Sequence, residues 1–277
     1  MGVLLGMLCA IAYGASDFAA GVGGRRSDPS AVTVLAQPWS LVAAIGTALV
    51  MQPAAPTGAA LLWGAISGIG TAVGTLALYR GLTVARMSVV APVSAVLAAA
   101  LPALVGIVTG DRLSWLGWAG IVIVLPAIAL VSRNEDPADK DKPSGLVEAV
   151  VAGAGFALLF IGLDRAGTDG GSWPLAAGQA VGVVLLGAAA LWLRPRRDAW
   201  RAAVWPAVIT GVLGGAANLL FVAATGAGQL AVVAVITSLY PAITIVLARV
   251  VLSERWSRTQ AAGLVVAAAG VAAITLG

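Results

Sequence analysis

Long apolar runs broken by short polar stretches dominate this chain, and their length decides what they are. A helix needs about 20 apolar residues to cross the hydrocarbon core of a bilayer. Ten stretches meet that length: 2–22, 31–51, 58–79, 87–109, 114–132, 145–163, 172–193, 203–224, 230–250 and 257–276. The pattern therefore predicts an all-α integral membrane protein with ten transmembrane helices. The first run is preceded by no basic segment and has a mate in 145–163, so it is expected to be a retained span rather than a signal peptide.

The runs also repeat. Residues 1–133 are echoed by 144–277 at an offset near 143, with a charged linker at 134–143. In the closing segments Gly110-Asp111-Arg112-Leu113-Ser114 with Gly120 lies opposite Ser253-Glu254-Arg255-Trp256-Ser257 with Gly263. A unit of five spans starts and ends on opposite sides of the membrane, so its copy must insert upside down. That is the inverted repeat of many secondary transporters.

Composition agrees with the pattern. The 277 residues are 60% hydrophobic and 10% charged, where soluble domains carry about 25% charge. The net charge of +4 does not form the basic stripe of a nucleic-acid binder. Of the 16 Lys and Arg residues, all but Arg112 and Arg165 fall in the loops 1-2, 3-4, 5-6, 7-8 and 9-10 or beside them. The positive-inside rule then places those loops in the cytoplasm and both termini outside a cell membrane. Cys9 is the one cysteine and histidine is absent, which leaves no Cys/His metal site and no disulfide framework. No GxxxxGK[ST] run is present, so ATP hydrolysis by this chain is not expected, and no cofactor is expected.

Polar residues inside the spans carry the candidate chemistry. At the repeat offset Tyr13 maps to Phe156, Gln37 to within one residue of Gln179, Thr75 to Asn218, and Ser94 to Thr237. These pairs draw on spans 1 to 4 and 6 to 9, whereas spans 5 and 10 are polar only near their ends and are expected to be peripheral. A polar side chain in hydrocarbon needs a partner or an aqueous cavity. Either the residues make interhelical hydrogen bonds, worth about 0.6 kcal/mol each, or they ring a binding site at mid-depth. The site reading takes Tyr13, Asp17, Gln37, Trp39, Thr75, Tyr79, Ser94, Gln179, Asn218, Phe221, Thr237, Ser238 and Tyr240 as substrate-binding.

Asp17 is the costliest of these, because a charge near mid-bilayer costs roughly 2.5 to 3.5 kcal/mol on insertion scales. It is the candidate for proton coupling or for pairing with a cationic substrate. Eight tryptophans fall near span ends as interface anchors, while Trp39 follows Gln37 and Pro38 in mid-span. Glycine pairs such as Gly64-xxx-Gly68, Gly70-xxx-Gly74, Gly178-xxx-Gly182 and Gly211-xxx-Gly215 predict close helix crossings. Pro92, Pro102, Pro126 and Pro241 are expected to interrupt spans 4, 5 and 9, as hinges or as static kinks.

Ser238-Leu239-Tyr240-Pro241, followed by Leu252-Ser253-Glu254-Arg255-Trp256 and Gly263-Leu264-Val265, resembles the signature that closes each half of EamA-type proteins of the drug/metabolite transporter superfamily. Leu101-Pro102 with Gly110-Asp111-Arg112-Leu113 and Gly120 is a weaker version, and Tyr13-Gly14-Ala15-Ser16-Asp17-Phe18 is similar to the family's opening segment. The resemblance implies a five-plus-five helix bundle around a central cavity and the outward transport of small metabolites. The expected function is thus a secondary transporter that exports small metabolites such as amino acids or amphipathic drugs by alternating access. Its partners are a small-molecule substrate, the lipid bilayer and candidate protons; it needs no nucleic acid and is a monomer or a homodimer. A channel or lipid scramblase is the alternative, and an integral-membrane enzyme is a more distant one.

Overall fold

A computed structural model describes residues 1–51, 54–85, 87–132, 143–193, 197–253 and 257–276. Arg86, most of the linker from Arg133 to Lys142, Arg194, Arg196 and the segment Glu254-Arg255-Trp256 lie outside the described residues.

With no water in hydrocarbon to satisfy backbone groups, an apolar run must bond to itself as a helix. Among the described residues all regular structure is helical: α1 (Gly2–Arg26), α2 (Pro29–Met51), α3 (Gly58–Val84), α4 (Met87–Thr109), α5 (Trp115–Ser132), α6 (Leu146–Ala166), α7 (Trp173–Leu193), α8 (Arg197–Gly226), α9 (Leu230–Thr237), α10 (Tyr240–Leu252) and α11 (Arg258–Leu276). These make ten spans long and apolar enough to cross a membrane, with α9 and α10 sharing the ninth. Helix starts carry the caps their sequences allow. The Thr57 hydroxyl accepts from the Ala60 N–H at 3.1 Å and the Ser114 hydroxyl from the Gly117 N–H at 3.0 Å. Ser257 and Gln260 form a reciprocal capping box at α11.

The ninth span differs from the continuous helix expected over 230–250. Pro241 has no N–H to offer the Thr237 carbonyl. The chain tightens there into three-residue bonds, Leu239 N–H to the Ile236 carbonyl at 3.1 Å and Ala242 N–H to the Leu239 carbonyl at 2.9 Å, and the helix breaks at Ser238 and Leu239. Pro92, Pro102 and Pro126 instead remain inside unbroken helices. Sequence alone marks all four as interruptions, but only Pro241 coincides with a change of hydrogen-bond pattern.

Neighbouring helices exchange places when the two halves are swapped. α1 packs on α8 as α3 packs on α6, and α2 on α8 as α3 on α7. α4 meets α6 as α1 meets α9 and α10, while α5 with α11, α2 with α7 and α4 with α9 meet across the halves. The closest crossings run through glycine. A Cβ on Gly68 would land on the Gly178 backbone, one on Gly64 on Pro174, and one on Gly70 within 2.6 Å of the Gly155 carbonyl. α5 and α11 pack against one another through Gly120 and Gly270, at the edge of the bundle as their apolar sequences suggest.

The turn after α4 is tied to the start of α9. Gly110 adopts φ +121°, a conformation that favours glycine. This lets the Asp111 carboxylate accept the Ala231 N–H at 2.8 Å, while Gln229 Nε2 donates to the Arg112 carbonyl at 2.9 Å. Asp111 therefore caps α9 from the other half of the chain. Asp111→Ala is expected to cost about 1 kcal/mol, the usual worth of an N-terminal cap, read as a lower thermal unfolding midpoint of the purified protein. An unchanged midpoint would show that the contact adds nothing.

Candidate functional site

Helical spacing gathers the polar residues. Tyr13, Ser16, Asp17 and Ala20 recur at three- and four-residue intervals and so share one face of α1; Thr33, Ala36, Gln37 and Ser40 do the same on α2. With Thr71, Thr75, Leu78 and Tyr79 of α3, and Thr210, Gly211, Gly214 and Asn218 of α8, they enclose a cavity of ≈ 190 Å³. Phe156, Leu159 and Phe160 of α6, Gln179 of α7, Ala98 of α4 and Tyr240 at the break between α9 and α10 complete the lining.

Hydrogen bonds, most of them across the halves, fix this wall. Gln37 Nε2 donates to Gln179 Oε1 at 2.7 Å, joining α2 to α7. The Tyr13 hydroxyl donates to Asn218 Oδ1 at 2.6 Å, and Asn218 Nδ2 donates to the Gly214 carbonyl at 3.0 Å. Ser16 and Ser40 donate to the carbonyls of Thr210 and Gly211 at 2.9 and 2.6 Å, and the Thr33 and Tyr79 hydroxyls lie 2.8 Å apart. Gln37, Gln179, Asn218, Ser16 and Ser40 are buried, so these bonds satisfy groups that hydrocarbon would leave exposed at a cost of several kcal/mol each.

Asp17 differs from its neighbours. Its side chain is exposed onto the cavity rather than buried in a contact. Among the described lining residues it is the only one with a formal charge. The carboxylate thus sits mid-bundle, surrounded by hydroxyls, amides and aromatic rings.

Depth within the bundle distinguishes the two ends. Lining residues approach the α1–α2 end closely: Thr33 is four residues, about 6 Å, from the start of α2. Toward the opposite end, Tyr13 packs edge-on against Phe160 at 6.1 Å, and Phe160 stacks on Phe221 at 4.6 Å. Behind that stack Cys9, Leu163, Leu175, Ala224, Leu230 and Val233 form a close-packed apolar cluster. The end near Arg25 and Tyr79 is the shallower route to the cavity.

Tyr13, Asp17, Gln37, Thr75, Tyr79, Gln179, Asn218 and Tyr240 come together in the lining, and the remaining five expected site residues do not. Trp39 lies about 200° around the helix from Gln37 at 100° per residue, so it turns outward and is 40% exposed. Phe221 is fully buried behind Phe160. Ser94 is buried and bonds within its own helix to the Ala91 carbonyl at 3.1 Å. Thr237 and Ser238 are fully buried at the helix break and are not among the lining residues. Conversely, Ser16, Thr33, Ser40, Thr71 and Thr210 line the cavity although repeat matching does not select them. Their three- and four-residue spacing from Tyr13 and Gln37 is the signal that would have found the first three. No cluster of three or more metal-ligating side chains occurs among the described residues.

The model of the EamA-like transporter family matches residues 143–276. No curated protein matches the chain. A crystal structure described only as that of a protein superposes with a TM-score of 0.75 at 16% sequence identity, over 99% of this chain and 97% of its own. At that identity the likeness is one of fold.

Proposed function

From a chain that belongs, through residues 143–276, to the EamA-like transporter family and is thus a multi-pass membrane transporter of small molecules, we infer a carrier that works by alternating access and exports its substrate. The observation that carries this reading is a cavity ringed by polar side chains that runs from mid-depth toward the α1–α2 end of the bundle, with the Phe160–Phe221 stack and its apolar cluster packed on the other side. Inverted-repeat transporters hold substrate at mid-membrane between their repeats and rock one against the other. The exchange of helix neighbours between residues 1–133 and 144–277 supports such a repeat.

Orientation follows from charge. With the arginine-rich loops in the cytoplasm, the shallow end of the cavity faces the cytoplasm and both termini lie outside. This is the state in which an exporter loads. A cavity of ≈ 190 Å³ is smaller than the roughly 300–1,000 Å³ pockets of drug-sized ligands, which favours a small metabolite such as an amino acid or amine over a large drug. Asp17, open to the cavity, is placed to carry a proton or to set charge preference.

Two measurements test the reading. Metabolites in cells and medium, compared with and without the protein, should show a small set of compounds moving outward; no shift under any metabolite load would count against export. A reporter fused to the C-terminus should be active on the external face. A cytoplasmic signal would reverse the orientation and with it the side from which substrate enters.

A further inference from the structure

We propose that the cavity is built for an organic ammonium ion with a small apolar body, held by the Asp17 carboxylate and the surrounding aromatic rings. The proposal rests on the carrier reading and narrows its substrate to one charge class.

Three observations converge. First, among the described residues the lining carries one formal charge, Asp17, and no Lys or Arg. A ligand charge taken from water to mid-bilayer must be repaid by an opposite charge. Here only a cation meets one. An anion would meet a like charge, with no basic side chain among the described lining residues to offset its desolvation. A zwitterion would bring a carboxylate into the same neighbourhood, with neutral amides and hydroxyls as its only donors.

Second, the chain has three tyrosines, and all three, Tyr13, Tyr79 and Tyr240, line this cavity. Tyr13 lies 6.2 Å from Tyr240 and 6.1 Å from Phe160 between ring centroids. An ammonium group is attracted to the face of such rings, and the attraction grows when water is excluded. The Tyr13 and Tyr79 hydroxyls are engaged by Asn218 and Thr33. What these residues offer a ligand is chiefly ring surface.

Third, the Asp17 side chain opens onto the cavity rather than closing on a partner within the wall. A carboxylate serving only the fold would be expected to be paired and covered. This one is presented to the space a ligand occupies.

A matched series isolates charge at constant ring and chain: phenethylamine, phenylalanine, 3-phenylpropionate and 2-phenylethanol. Binding to the purified full-length protein is read as the saturable rise in thermal unfolding midpoint. Phenethylamine should bind most tightly, and Asp17→Asn should weaken it about tenfold to a hundredfold, the worth of one charged hydrogen bond. The alcohol should bind the variant as it binds the parent. The proposal is overturned if the acid or the zwitterion binds at least as tightly as the amine. It is also overturned if Asp17→Asn leaves the amine unaffected, or if none of the four binds protein that is otherwise folded. Uptake of the same series into proteoliposomes separates this proposal from its premise. Saturable uptake of the zwitterion without amine preference would remove the charge assignment and keep the carrier. Amine binding that depends on Asp17 without uptake of any compound would support the site and remove the carrier.

Discussion

Replacing Asp17 with leucine is expected to lower export about tenfold to a hundredfold or more, while leaving the protein at least as stable as before. The two effects have opposite signs for one reason. An unpaired carboxylate near mid-bilayer costs roughly 2.5 to 3.5 kcal/mol to insert, so removing it relieves the fold of a burden. The same group is the sole formal charge among the described lining residues, so its removal takes away the strongest interaction available to a cationic substrate or a coupled proton. Export of the metabolites identified by comparing cells with and without the protein gives the first readout. Thermal unfolding gives the second. Normal export by Asp17→Leu would remove the residue from the mechanism, and a protein that fails to fold would make Asp17 a structural group.

Gly68→Val should have the largest effect on stability. α3 and α7 touch backbone to backbone: a Cβ at Gly68 would overlap the Gly178 carbonyl, and one at Gly178 would sit 2.7 Å from Ser67 Oγ and against the Gly64 carbonyl. Backbone cannot rotate out of the way as a long side chain can. Without a hydrophobic drive between helices in lipid, such packing is what holds them together. Overpacking a well-filled contact costs about 1 to 3 kcal/mol, and valine at a backbone crossing belongs at or beyond the upper limit. Folded protein recovered after extraction should fall sharply. Gly187→Val on the same α7 provides the comparison, because nothing lies within 4 Å of a Cβ there. Equal recovery of the two variants would mean that the crossing does not depend on close approach.

The spans are legible in the sequence because hydrocarbon leaves an apolar 20-residue run only one conformation. The peripheral place of α5 and α11 is legible for a related reason, since neither offers a mid-depth polar group to a cavity. The break at Ser238 and Leu239 is harder to read. Proline alone does not mark it, as Pro92 and Pro102 sit in the unbroken α4. In the site, matching residues at the repeat offset groups Tyr13, Gln37, Thr75, Gln179 and Asn218, whose positions follow from which helix faces meet. Trp39, chosen for its mid-span position rather than by the repeat, turns outward because depth along a helix says nothing about rotation around its axis. Matching at the offset overlooks Thr33 and Ser40, one turn to either side of Gln37, since hydroxyl residues in helices commonly bond to their own backbone and are unremarkable in composition. Ser94 behaves in that ordinary way. The glycine pairs are legible as close contacts, but which helix each one meets depends on the assembled bundle.

The most direct test of alternating access uses Thr75, a half-buried lining residue of α3. Thr75→Cys, made in a Cys9→Ala background so that it carries the only thiol, is labelled with a membrane-impermeant maleimide applied to sealed vesicles of each orientation. The account predicts labelling from both faces while the vesicles remain tight to the reagent, because the cavity opens to each side in turn. Labelling from one face only, or vesicles that leak the reagent through the protein, would contradict it.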